Sequence, residues 1–233
     1  MPRLGAGVVR TTQPLSQLAR SFLLLGSTFM FFNGVKHLEL AQAASISFMA
    51  PFIVVLLALP MLGEPISIHR IGAVLAGFVG VLIVIRPGSA VFQWASLLIV
   101  GSACCYALYQ IFTRRVAGHD RPETSAFYSA LIGTLVMAGV ITWKGFAPPK
   151  SLLDAGLLAS LGILGAAGHY CVARAMTYAA ANVVAPFQYW QMVGSVIVGY
   201  LVSHRLPDAY TWLGASVIIG AGLYIGWRDA RRV

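Results

Sequence analysis

Residues 41–86 hold two apolar stretches, each long enough to cross a lipid bilayer, joined by the polar turn Gly63-Glu64-Pro65-Ile66-Ser67-Ile68-His69-Arg70. A bilayer's hydrocarbon core is about 30 Å thick, and a helix needs about 20 apolar residues to span it. Such stretches recur and give eight candidate spans: 18–35, 40–62, 68–86, 91–113, 124–143, 152–173, 182–202 and 208–227. Lipid offers no partner to a free backbone amide, so these spans must be helices or strands of a closed barrel. Barrel strands alternate polar and apolar residues, and these do not. Only 10% of the 233 residues are charged, against about 25% in a soluble domain. The expected fold is therefore all-α, a polytopic membrane bundle of about eight transmembrane helices.

The net charge of +9 informs mainly by its placement. With the N-terminus in the cytoplasm and eight crossings, Arg3, Arg10, Arg20, Arg70, Arg114, Arg115, Arg121, Arg174, Arg228, Arg231 and Arg232 fall inside. Lys36, Arg86, Lys144, Lys150 and Arg205 fall outside. The excess of basic residues inside follows the positive-inside rule and points to a multi-pass protein of the cell (inner) membrane with both termini cytoplasmic. The arginines are scattered over short loops and form no patch for nucleic acid, so the expected macromolecular surroundings are the lipid bilayer, with a homodimer left open. Cys104, Cys105 and Cys171 all lie within spans, where cysteine acts as a small hydrophobe. Metal-ligand spacing is absent, so neither a metal nor a cofactor is expected. Residues 1–17 are a polar, basic lead-in, without the apolar core of a signal peptide, and read as a loop.

The turn after residue 62 has a counterpart near the C-terminus. Pro65, Gly72, Ala73, Gly80 and Ile83 recur 142 residues later as Pro207, Gly214, Ala215, Gly222 and Ile225. Both copies follow a proline-interrupted apolar span, with Pro51 in one and Pro186 in the other. The chain crosses the membrane five times between Gly72 and Gly214, and an odd number turns the second copy upside down. Inverted-topology repeats of this kind build many secondary transporters. Residues 1–90 then hold three spans of a first, incomplete repeat, and residues 91–233 hold five spans of a second.

Two segments carry a resemblance: LAQAASISFMAPFIVVLLALPMLGEPISIHRIGAVLAGFVGVLIVI and AAANVVAPFQYWQMVGSVIVGYLVSHRLPDAYTWLGASVIIGAGLYI. They resemble the paired repeats of the drug/metabolite transporter superfamily, EamA type. The resemblance covers nearly the whole chain. It implies export or uptake of amino acids, nucleosides, S-adenosylmethionine, vitamins or similar metabolites. The sequence departs from the family pattern in two ways. Leu206 stands where the first copy has Glu64, and the resemblance implies ten spans, of which the expected eight lack the first two.

A transport site is expected near the midplane, between the repeats, and polar groups within spans are the first candidates. Arg174 and Tyr170 are i, i+4 neighbours on one face and suit a carboxylate or phosphate, unless Arg174 only snorkels to the interface. His169 is a further candidate, with helix packing as the alternative. Gln188 and Gln191 share a face beside Tyr189 and Trp190, a set suited to a planar or zwitterionic solute. Their alternative is hydrogen bonding between helices, worth about 0.6 kcal/mol per contact in membranes. Ser102, Tyr106, Tyr109 and Thr113 form one stripe, of which Tyr106 is the site candidate and packing the rival use. Ser47, with Ser45 and Asn33, completes the candidates. Pro51 and Pro186 should break their helices, Gly72 and Gly214 should open the spans that follow, and Glu64 should cap a helix start.

No carboxylate lies deep in a span, so an acid that binds protonated drugs is not present. Paired intramembrane carboxylates, His-Glu-x-x-His and a nucleophile elbow are also missing, so no enzyme is expected. The reading is a secondary transporter moving a small metabolite by alternating access. Its rival is an N-terminally truncated fragment or membrane interaction partner that transports nothing alone.

Overall fold

The computed structural model describes residues 8–63, 68–87, 93–145, 148–185, 188, 190–204 and 206–230. The described residues are helical, without strands, and run α1 (Pro14–Gly34), α2 (Leu40–Ser47), α3 (Met49–Leu62), α4 (Ile68–Ile85), α5 (Ala95–Ala117), α6 (Pro122–Lys144), α7 (Leu152–Tyr178), α8 (Ala181–Val184), α9 (Trp190–Ser203) and α10 (Ala209–Ala230). Among the described residues six helical stretches are long and apolar enough to cross a membrane: Pro14–Gly34, Gln42–Leu62, Ile68–Ile85, Ala95–Ala117, Pro122–Trp143 and Leu152–Tyr178. The remaining two expected spans, 182–202 and 208–227, coincide with α8–α9 and α10.

Three helix ends differ from the sequence reading. α1 begins at Pro14, inside the expected loop, because proline is preorganised for a first helical position and has no N–H to leave unpaired. α5 continues through Arg114 and Arg115 to Ala117, and α7 runs to Tyr178. Arg174 therefore sits within α7, roughly 33 Å along it from Leu152 at 1.5 Å per residue.

The break between α2 and α3 falls at Phe48, three residues before Pro51. Pro51 has no N–H for the carbonyl one turn back, and its ring crowds that carbonyl. The helix restarts at Met49, which places Pro51 in the first turn, where proline is tolerated. Gly63 then closes α3 with φ +69, a left-handed conformation that suits glycine.

The chain divides into two compact units. One takes residues 1–22 and 112–179, the other 23–111 and 180–233. In the first unit α6 packs on α7. Along α7 large apolar side chains such as Leu152, Leu153, Ile163 and Leu164 are exposed. A methyl group added at Gly156, Gly162, Gly165 or Gly168 would meet no described atom within 4 Å, so no helix uses this glycine-rich surface for close approach among the described residues.

The second unit holds a core of Leu38, Ile46, Phe48, Phe52, Val55, Val74, Val81, Val84, Ile99 and Ile218. Its most extensive helix pair is α4 with α10. A Cβ on Gly214 would stand 2.5 Å from the Gly80 carbonyl oxygen, and one on Gly80 would stand 2.8 Å from that of Gly214. Small residues thus bring the two backbones together, the means by which helices associate in lipid. Gly77 is closed by the Phe52 ring, whereas a Cβ on Gly72 would meet no described atom within 4 Å. At the end of the pair, Arg86 makes an ion pair with Asp208 and lies 4.4 Å over the Tyr210 ring centre. Asp208 also accepts a bond of 2.9 Å from the Thr211 N–H, capping α10. Burial pushes the Asp208 carboxyl up, but the Thr211 bonds and Arg86 outweigh it and hold it below the usual carboxylate range.

Candidate functional site

The first unit contains a buried polar network that the sequence reading missed. Arg20, on α1, is 1% exposed and Gln17 is 0% exposed. The Arg20 guanidinium donates to the Ser125 carbonyl (2.6 Å), the Gln17 amide oxygen (3.1 Å) and the Thr113 hydroxyl (3.2 Å). The Gln17 amide nitrogen donates to Asp120 (2.8 Å) and Ser125 (3.2 Å). One amide thus links a cation to an anion, its oxygen toward the guanidinium and its nitrogen toward the carboxylate. Asp120 also accepts from the Thr11 hydroxyl and from the N–H (3.1 Å) and hydroxyl of Thr12. Burial raises the Asp120 pKa, but these hydrogen bonds favour the charged form and leave it below the usual range. The usable sequence signal was an arginine two residues into an expected apolar span, since charge there needs partners.

Arg174 and Tyr170 meet as their spacing predicts, with the guanidinium donating 3.2 Å to the phenol oxygen. The phenol donates 3.1 Å to Glu123 in the first turn of α6. The result is a chain of arginine, phenol and carboxylate across two helices, with Arg174 exposed and Tyr170 part-buried. His169 lies one residue away within electrostatic reach of Arg20. Arg114 donates 2.6 Å to the Met176 carbonyl, pairing with the last turn of α7, where a cation is favoured.

In the second unit Tyr106 and Tyr109 pair their rings at 5.4 Å between centres, tilted by 31°. The Ser102 hydroxyl donates 2.8 Å to the Ser27 carbonyl. Two ends of the polar stripe on α5 are thus spent on helix packing, Ser102 in this unit and Thr113 in the other. Ser47 is half-buried and its hydroxyl donates 2.9 Å to the Ala43 carbonyl in its own helix. Gln188 is half-buried and Gln191 exposed. Glu64, Pro186, Tyr189 and the Trp190 side chain lie outside the described residues. Beside the tyrosines, Gln110 is fully buried, and neither atom of its amide has a partner among the described residues. A buried unpaired polar group costs about 1–3 kcal/mol.

The EamA-like transporter family matches this chain twice, over residues 6–86 and 93–227. The chain belongs to the EamA-like transporter family. It is a multi-pass membrane protein and a transporter, not an enzyme. A riboflavin transporter of Rhizobium johnstonii is 32% identical over 232 residues, covering 100% of this chain and 76% of that protein. An S-adenosylmethionine uptake transporter of Rickettsia bellii is 28% identical over 227 residues, covering 97% of this chain and 76% of that protein. Both relatives are named for small metabolites. A protein of known crystal structure superposes with a TM-score of 0.72 over 98% of this chain and 80% of its own, at 21% identity, which shows the fold alone. As an EamA-like protein the chain fits its lipid-facing surfaces, because α7 exposes the leucines that a bilayer would cover.

Proposed function

We propose that this EamA-like chain is a secondary transporter that carries a small heteroaromatic metabolite, of the riboflavin or S-adenosylmethionine kind, across the cytoplasmic membrane by alternating access. Two repeats, residues 1–90 and 91–233, supply the moving parts, and both termini lie in the cytoplasm. The observation that carries this reading is similarity along the entire chain to a transporter named for riboflavin. The helix break before Pro51 supports it, since broken helices in membranes occur where they line a cavity or pack on protein. Arg174 offers an exposed guanidinium already oriented through Tyr170 and Glu123, suited to a carboxylate such as that of S-adenosylmethionine or to a carbonyl acceptor of a neutral solute such as riboflavin. His169, Gln188, Tyr189, Trp190, Gln191, Ser47 and Tyr106 are the further candidates for the lining.

The test is uptake of radiolabelled riboflavin and S-adenosylmethionine into proteoliposomes holding the chain. Saturable uptake of one of them, reduced roughly tenfold or more in Arg174→Ala, is the expected result, since bonds to charged groups contribute about 1.5–3 kcal/mol. Absence of uptake of either solute in both directions would sink the substrate assignment.

A further inference from the structure

Gln110 is used by nothing described so far. It is 0% exposed on α5, with Oε1 and Nε2 both unpartnered among the described residues. Gln17 and Arg20, buried to the same degree, bond to carboxylate, guanidinium, hydroxyl and carbonyl groups. Ser96 and Ser129 also have hydroxyls without a partner among the described residues. A serine can turn its hydroxyl onto a carbonyl one turn back. A glutamine amide holds an acceptor and two donors in one plane, so one such turn leaves the rest unpaired.

The position of this amide gives it a use. Gln110 follows Tyr106 by four residues, so their Cβ atoms are about 5–6 Å apart on one helix surface. Tyr106 is itself half of the tyrosine pair. Aromatic faces take up flat π surfaces, and a primary amide complements an edge that presents a donor next to an acceptor. We propose that Gln110 recognises the transported solute, pairing with the donor–acceptor edge of a flat heterocycle (an imide, lactam or aminopyrimidine edge) that lies against Tyr106. This rests on the transport reading above and adds to it a specificity-determining residue and the solute group it reads.

The experiment uses the full chain in proteoliposomes with two probes, riboflavin and its N3-methyl derivative. Both have the same flat ring, but methylation removes the N–H from the imide edge. The wild-type protein should prefer riboflavin by about tenfold in KM, because a site built to bond a donor rejects the analogue that lacks it. Gln110→Met should weaken riboflavin to the level of the methylated probe and leave the methylated probe unchanged. Ligand-free Gln110→Met should also unfold at a higher temperature than wild type, since an unspent buried amide has been replaced by an apolar chain of similar length. A purely structural glutamine would give the opposite shift. Retained tenfold preference in Gln110→Met, or a lower melting temperature, overturns the proposal while the transport reading stands. If the wild-type protein takes up neither riboflavin nor S-adenosylmethionine, the substrate assignment fails and this inference fails with it.

Discussion

At the scale of single residues, Arg20 carries the largest electrostatic commitment described in this chain. A guanidinium that is 1% exposed must be bonded on several sides, and Gln17, Thr113 and the Ser125 carbonyl supply those bonds. Arg20→Met removes the donor and leaves the Gln17 and Ser125 oxygens buried without it. The expected loss is about 2–3 kcal/mol of stability, measured as thermal unfolding of the detergent-solubilised protein, and an unchanged midpoint would show that the network holds nothing together. Asp120 adds a pH dependence of known sign. Its folded-state pKa is lowered, so its contribution is complete above the unfolded value of about 3.9 and is lost as pH falls through the folded value. Asp120→Asn should therefore lower the unfolding midpoint at pH 7, and the gap to wild type should close as pH drops below about 4. Sequence reading reached the Arg174–Tyr170 pair because i, i+4 spacing is a local rule. It missed the Tyr170–Glu123 and Gln17–Asp120 bonds because those partners lie 47 and 103 residues apart, and helical spacing says nothing about contacts between helices; the Gln17–Arg20 bond, three residues apart on one helix, was within its reach.

Helix elements show a related limit. The repeat marks Gly72 and Gly214 as equivalent, and both were expected to matter. The structure closes Gly214 against Gly80, and leaves Gly72 open. Equivalence under a repeat says which positions share a role in their own copies, while contact joins positions that need not be equivalent. Pro51 was legible for a different reason, since a missing N–H acts within its own helix and the break at Phe48 follows directly. The glycine contrast gives a paired test. Gly214→Ala sets a Cβ 2.5 Å from a backbone oxygen, which cannot swing aside, so α4 and α10 must separate. Overpacking of that kind costs about 1–3 kcal/mol. Gly72→Ala fills open space and replaces the poorer helix former, a gain of up to about 1 kcal/mol. Unfolding midpoints that fall for the first and hold or rise for the second are expected, and equal effects would contradict the packing described here.

For the whole molecule, the proposed number of crossings and side of each loop rest on the helices and their charges together. Eight spans would return the chain to the side on which it started. From the excess of arginine in alternate loops and the positive-inside rule we propose that the loop around His119 and Arg121 lies in the cytoplasm with both termini. The same proposal puts Lys36 and Lys150 outside. A cysteine-free background is made by replacing Cys104, Cys105 and Cys171 with alanine. Single cysteines are then introduced as Lys36→Cys, His119→Cys, Arg121→Cys and Lys150→Cys, and intact cells are treated with a membrane-impermeant maleimide. Labelling at positions 36 and 150 in intact cells, and at 119 and 121 only after permeabilisation, is expected. The reverse pattern would invert the topology, and labelling of 36 and 119 from the same side would remove a crossing between them. Either result bears on transport as well. Inverted repeats require that equivalent helices enter from opposite faces, so the repeat arrangement proposed above needs α4 and α10 to run in opposite directions across the bilayer, and an even number of crossings between Gly72 and Gly214 would make that impossible.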